Sequence, residues 1–115
     1  MTQLHNQAIQ IQSSPIRHAL HELGIPVHRV GYKHLCIAIP HFAEDDMQSL
    51  TKELYPYIAE SLGSSDWHTI EHSIRVVILD AWERRDPEIW ETYFPNSRKT
   101  PSNKLFIATL AELIK

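Results

Sequence analysis

The chain is expected to fold as an all-α, compact bundle of about six helices that contains a helix-turn-helix. Three observations predict this. No segment alternates polar and apolar residues at period two, so no sheet is expected. Apolar residues instead recur three and four apart along several stretches. Those stretches are bounded by Ser and Asp caps, first-turn prolines and closing glycines, the residues that start and stop helices.

Ser14 before Pro15 supplies a cap and a first-turn proline, Ile16, Ala19, Leu20 and Leu23 follow at helical spacing, and Gly24 closes a first helix of about Pro15 to Leu23. Ile25 to Val30 reads as a short extended connection, because Pro26 disfavours helix at Ile25 and has no backbone donor. From Gly31 onward Leu35, Ala38, Ile39 and Phe42 mark a second helix that Pro40 is expected to kink or shorten. A third, roughly Asp46 to Leu62, places Met47, Leu50, Leu54, Tyr57, Ile58 and Leu62 on one face. Asp45 and Asp46 suit its positive end, and Pro56 is expected to bend it. Gly63 breaks the chain and Ser64 to Asp66 offer caps. A long helix then runs to about Arg84, with Ile70, Ile74, Val77, Ile78, Ala81 and Trp82 as its buried stripe. Asp86 before Pro87 opens a short helix through about Tyr93; a loop with Pro95 and Pro101 leads to a last helix, Asn103 to Ile114, capped by Ser102.

With 115 residues, 43% of them hydrophobic, the chain suits one domain, expected over residues 14–115 behind a polar tail of residues 1–13. Cys36 is the only cysteine, which rules out an internal disulfide and favours a reducing compartment; the simplest role for it is a small buried hydrophobe. No apolar run is long enough for a membrane span, and Met1 to Ser14 lacks the cationic start and apolar stretch of a leader. A cytoplasmic protein with no membrane partner is expected. The net charge of −3 runs against the basic balance common in nucleic-acid binders.

Two helices joined across Gly63 form the unit in which DNA readers place the second helix in the major groove and brace it with the first. Four segments make the unit specific: HELGIPVHRVGYKHL (His21 to Leu35), LTKELYPYIAESL (Leu50 to Leu62), IEHSIRVVILDAW (Ile70 to Trp82) and TPSNKLFIA (Thr100 to Ala108). In this order and spacing they resemble the C-terminal DNA-binding effector domain of the sporulation initiation response regulator, stage zero sporulation protein A, over roughly Ser14 to Ile114. The resemblance implies an all-helical domain that binds a promoter box on double-stranded DNA, often as a homodimer on tandem sites, with no cofactor. In the family this domain follows a phosphorylatable receiver. Residues 1–13 are too few for one, so a free-standing effector domain is expected.

The resemblance makes Trp67 to Arg84 the recognition helix. The family pattern there is Arg-Val-Glu-Arg-x-x-Arg-His, against Thr69, Ile70, Glu71, His72, Arg75 and Val76 in this chain. Glu71 and Arg75 are kept, while two arginines are replaced by Thr69 and His72. Opposite Ile70 the helix presents His68, His72, Arg75, Val76 and Leu79. Ser65 to Arg85 carries Arg75, Arg84 and Arg85 against Asp66, Glu71, Asp80 and Glu83, a net of −1, so weak binding at physiological salt is expected. Arg75 is the candidate to fork onto a guanine and Glu71 to accept from a cytosine amine; Lys52, Arg98, Lys99 and Lys104 are candidates for the phosphate backbone. Without the resemblance, Glu71 and Arg75 would as readily pair with each other on a solvated face. His68 and His72 would add positive charge on protonation, so DNA affinity is expected to rise from about pH 8 to about pH 6.

His68-Thr-Ile-Glu-His72 fits the H-x-x-E-H pattern of inverted zinc peptidases, but such enzymes need a third ligand far downstream and little chain follows His72. The pairs His18 with His21 and His28 with His34 lack the cysteines or carboxylates of a four-ligand set, so no metal site and no enzyme is expected. Trp67, Trp82 and Trp90 read as helix-packing residues, Trp67 being the one open to solvent. The main rival is a protein-interaction domain of the same fold, using Val76 and Leu79 on the outward side of the helix.

Overall fold

The computed structural model describes residues 15–64 and 66–115, so the caps expected at Ser14 and Ser65 lie outside the described residues. The first helix, α1 (residues 15–22), ends as its sequence requires. Gly24 takes φ +83°, Gly24 N–H donates to the His21 carbonyl (3.0 Å) and Ile25 N–H to that of Leu20 (2.9 Å), a Schellman closure with both apolar partners buried. The chain does not then run extended. Arg29 N–H reaches back to the Pro26 carbonyl (3.2 Å), so residues 26–29 turn, and α2 (Val30–Glu44) begins at once. Pro26 excludes helix at Ile25, as expected, but its fixed φ equally suits a turn.

Pro40 neither stops nor shortens α2. It offers no N–H to the Cys36 carbonyl, yet Leu35, Ala38, Ile39 and Phe42 are all buried around it, and this packing outweighs one lost backbone bond. The third helix starts later than its pattern suggested. Gln48, itself buried, donates to the carbonyls of Asp45 (2.8 Å) and His41 (3.1 Å), while the Asp45 carboxylate accepts from Met47 N–H. These bonds hold residues 45–48 as a tight corner at the end of α2. Ser49 caps instead, accepting from Lys52 N–H (3.2 Å), and Leu50–Leu54 forms a π-turn leading into α3 (Tyr55–Ser61). Pro56 follows this wide turn, in which Leu54 N–H reaches Ser49 and Tyr55 N–H reaches Leu50, each five residues back. Leu50, Leu54 and Ile58 are buried as expected; Met47, Tyr57 and Leu62 are exposed, Met47 by 88%.

A second Schellman closure at Gly63 (φ +73°) ends α3, with Ser64 N–H on the Ala59 carbonyl at 2.7 Å. Asp66 then caps α4 (Trp67–Glu83) by accepting from His68 N–H (2.9 Å). The buried stripe of α4 is Ile70, Ile74, Val77, Ile78, Ala81 and Trp82. Asp86 caps α5 (Pro87–Tyr93), and Ser102 caps α6 (Asn103–Ala111), which tightens into a 3₁₀ turn at Glu112–Ile114. Among the described residues there is no strand. The all-α bundle is the architecture observed.

The bundle is centred on α2, which packs against α4 on one side and α6 on the other. Gly31 sets the first of these approaches: a Cβ there would lie 2.3 Å from the Ser73 carbonyl oxygen and 2.7 Å from a Val77 methyl. Behind this contact the buried His34 bonds through Nδ1 to Ser73 Oγ. The Ser73 hydroxyl donates to the Ile70 carbonyl (2.9 Å), which assigns the proton in the first bond to His34. Trp82, Trp90, Phe94 and Phe106 stack edge and face beneath α5 and α6, and Trp90 Nε1–H donates to the Leu23 carbonyl (3.2 Å), tying α5 to α1. Two of the three tryptophans are thus core; Trp67 is half-buried.

Candidate nucleic-acid interface

The outward side of α4 is the surface a helix-turn-helix would present, and the π-turn with α3 is the element that precedes it. The polar cap of α4 is built from its own first turn. Besides His68 N–H, the Asp66 carboxylate accepts from Thr69 Oγ1–H (3.1 Å) and from the His68 ring (3.3 Å). These bonds, the backbone one foremost, hold the Asp66 carboxyl below the usual range, so an acid sits fixed at the tip of the helix. Thr69, offered from sequence as a base contact, is committed to that cap. His68 is exposed and lies flat on Trp67, with ring centroids 3.8 Å apart; Trp67 in turn is roughly parallel to the buried Tyr55 at 6.2 Å.

One turn on, Arg75 and Glu71 pair, with Arg75 Nη2 2.5 Å from Glu71 Oε1. They line one wall of an open groove of about 460 Å³ between α4, the π-turn and the start of α6. Its other lining includes Tyr55, Leu79, Thr100 and Lys104, so Lys104 is brought to the same groove as Arg75. Lys52 follows the groove-lining Thr51 on the π-turn, and Arg98 and Lys99 precede the groove-lining Thr100; all three are exposed. Among the described residues none of Lys52, Arg98, Lys99 and Lys104 forms an ion pair.

His72 belongs to the other flank of α4. It lines a smaller cleft with Val76, Val30 and Arg29, a cation that pattern reading along α4 passed over because it stands in the turn before α2. Leu79 is 43% exposed, Val76 half-buried. The remaining arginines near this helix are occupied: Arg84 pairs with Asp80 (2.8 Å) and donates to the Gly24 carbonyl, while Arg85 lies over the Trp82 ring at 3.8 Å.

Beneath the groove lies a link that sequence reasoning missed. Asn103 Nδ2 donates to Tyr55 Oη (3.1 Å) and to the Glu71 carbonyl (3.1 Å), so a single amide joins α6, α3 and α4. Burial raises the pKa of the Tyr55 hydroxyl, and the bond from Asn103 offsets part of that rise. Asn103 had been read only as the first residue of a helix. Its place in the matched TPSNKLFIA segment was the available signal.

The family described as sporulation initiation factor Spo0A C terminal matches residues 16–114. The chain belongs to this family. Spo0A C-terminal domains are DNA-binding regulatory domains and not enzymes. At the two positions where the resemblance places arginines, this chain carries Thr69, bonded to Asp66 at the tip of α4, and His72, which lines the cleft on the other flank. The cations lie instead on the flanks. Among the described residues no helix is long and apolar enough to cross a membrane.

Proposed function

We propose that this domain regulates transcription by binding a promoter box on double-stranded DNA, with α4 in the major groove. The observation that carries the reading is the position of the Glu71–Arg75 pair on the outward side of α4, in a groove also lined by Lys104; the exposed Lys52, Arg98 and Lys99 are neighbours in sequence of other lining residues, and with Lys104 they are the rim cations of this reading. Arg75 reads a guanine edge and Glu71 a cytosine amine; the exposed His68 stands at the start of the same helix, and the four rim cations approach the phosphates. Binding as a homodimer on tandem boxes accords with the family resemblance.

Pairing within α4 shapes the energetics. To reach a guanine, Arg75 must give up Glu71, and Glu71 must then find a donor of its own. A guanine beside a suitably placed cytosine supplies both replacements, whereas another base step leaves one charge unpaired. The domain therefore gains discrimination at the expense of non-specific affinity, which comes mainly from phosphate neutralisation.

The test is fluorescence anisotropy with a labelled duplex carrying the family's promoter box and a scrambled duplex, at low and physiological salt. Tighter binding to the box at both salts is expected. Equal binding that disappears with salt would refute the reading. It would favour a protein-interaction domain instead, for which the exposed Leu79 beside Val76 is the specific support. Leu79→Asp would then disrupt a protein complex while the isolated domain stays folded.

A further inference from the structure

We propose that Asn103 is a positioning residue for base reading: its amide locks the first half of α4 to α3 and α6 and so sets where Glu71 and Arg75 stand. The inference rests on the DNA reading proposed above. Its physical basis is the pair of bonds from Asn103 Nδ2, one to Tyr55 Oη and one to the Glu71 carbonyl. A carbonyl inside a helix already accepts from the residue four ahead, here Arg75, and its second lone pair commonly faces water. At Glu71 that lone pair is taken by a side chain from another helix. The bond lands on the backbone of the proposed base-reading pair, one turn below Arg75.

The amide is itself well anchored. Asn103 opens α6, whose cap is fixed by Ser102 Oγ accepting from Leu105 N–H, and whose Phe106, Ile107 and Leu110 are fully buried. Its other partner, Tyr55, is 2% exposed and stands parallel to Trp67 at the first turn of α4. The first half of α4 is therefore held at two points, by ring contact at Trp67 and by the amide at Glu71. On the opposite flank the His34–Ser73 bond holds the same turn from α2. Of these attachments only the Asn103 amide reaches the backbone of the Glu71–Arg75 turn from the groove side, where DNA would press on the helix. Loss of that bond lets α4 roll about its axis, which moves the side chains of Glu71 and Arg75 relative to base edges while leaving the rim cations where they are.

The test compares Asn103→Ala, Asn103→Asp and Asn103→Gln with the unaltered domain. Asn103→Asp keeps the shape but replaces the donor by an acceptor facing the Glu71 carbonyl. Asn103→Gln keeps the donor. A guanine contact is worth about 1–3 kcal/mol, so a loosened one is expected to cost about tenfold in box affinity for Asn103→Ala and Asn103→Asp. Affinity for the scrambled duplex and the salt dependence of binding are expected not to change, with partial rescue in Asn103→Gln. Amide hydrogen exchange over residues 67–75 is expected to speed up in the first two variants while the amides of α2 stay protected. Equal losses on box and scrambled duplexes, or unchanged exchange in α4, would overturn the proposal. If the unaltered domain does not prefer the box, the DNA reading fails on that result alone. Exchange then decides whether Asn103 positions α4 at all.

Discussion

Replacing Gly31 by alanine tests the helix packing that presents α4. The new Cβ would meet the Ser73 carbonyl oxygen at 2.3 Å and the two Val77 methyls at 2.7 and 2.8 Å. Turning Val77 relieves the methyl contacts, but the carbonyl is backbone in the middle of a helix and has no rotamer to escape into. Two terms of opposite sign compete. Alanine is favoured over glycine inside a helix by up to about 1 kcal/mol, whereas overpacking of this kind costs about 1–3 kcal/mol and more where backbone must move. The shift also strains the His34–Ser73 bond, since Ser73 is the residue displaced. A net destabilisation of about 1–3 kcal/mol is expected, a fall in Tm on the order of 4–12 °C for a domain of this size. Thermal and urea unfolding followed by helical circular dichroism measure it. Gly24→Ala is the control: nothing lies within 4 Å of its Cβ, so its cost is only that of holding alanine at φ +83°, about 1–2 kcal/mol. A Gly31→Ala domain as stable as the original, or more so, would refute the close approach of α2 and α4.

Arg75→Ala should lower affinity for the promoter box by about 1–3 kcal/mol and relax base preference, while changing stability by less than about 0.5 kcal/mol, because its pair with Glu71 is largely solvent-exposed; anisotropy and urea unfolding separate the two. Trp90→Phe keeps the ring packing but strands the buried Leu23 carbonyl, and should cost about 1–3 kcal/mol in urea unfolding. Burial holds His34 below its ordinary value, so the unfolded chain takes up a proton first, and stability should fall as pH drops below about 6.5, levelling off once the folded protein also protonates. His34→Asn, which keeps a donor toward Ser73, should remove that part of the pH dependence in unfolding titrations from about pH 8 to about pH 5; an unchanged profile would exclude His34 as its source.

The helices were legible where burial and capping act through neighbours in the chain. The stripe from Ile70 to Trp82 is one face of a single helix, and its six residues are the six buried there. Asp86 with Pro87, and Ser102 three residues before Leu105, are local signals, and both caps form as read. The misreadings came where a distant or competing partner decided the outcome. Met47 fits the apolar period of the third helix, but Gln48 binds the end of α2 and Asp45 takes Met47 N–H, so the helix waits for Ser49. Pro40 is a breaker by its own chemistry, and the core around Phe42 carries α2 past it. Pro56 was read as a bend; the structure meets it with a π-turn, whose wider spacing no apolar pattern encodes.

The site was less legible than the fold for a related reason. Helical spacing correctly sets Glu71 and Arg75 within reach of each other, and they do pair, but spacing cannot say whether a third group holds the helix that carries them. That depends on Asn103 and Tyr55, which stand far along the chain in both directions and meet at Glu71 only once α6 has docked. Charge counting has the same limit. A net of −1 over Ser65 to Arg85 describes one segment, whereas the surface that would face a phosphate backbone gathers Lys52 from the π-turn, Arg98 and Lys99 from the loop before α6, Lys104 from the first turn of α6, and Arg29 on the far flank. Cations drawn from several elements around a helix whose own arginines are occupied favour a reader whose affinity comes from its flanks and whose choice of sequence comes from a single Glu-Arg pair. For such a reader, loss of a rim lysine should weaken box and scrambled duplexes alike, and loss of Arg75 should weaken the box alone.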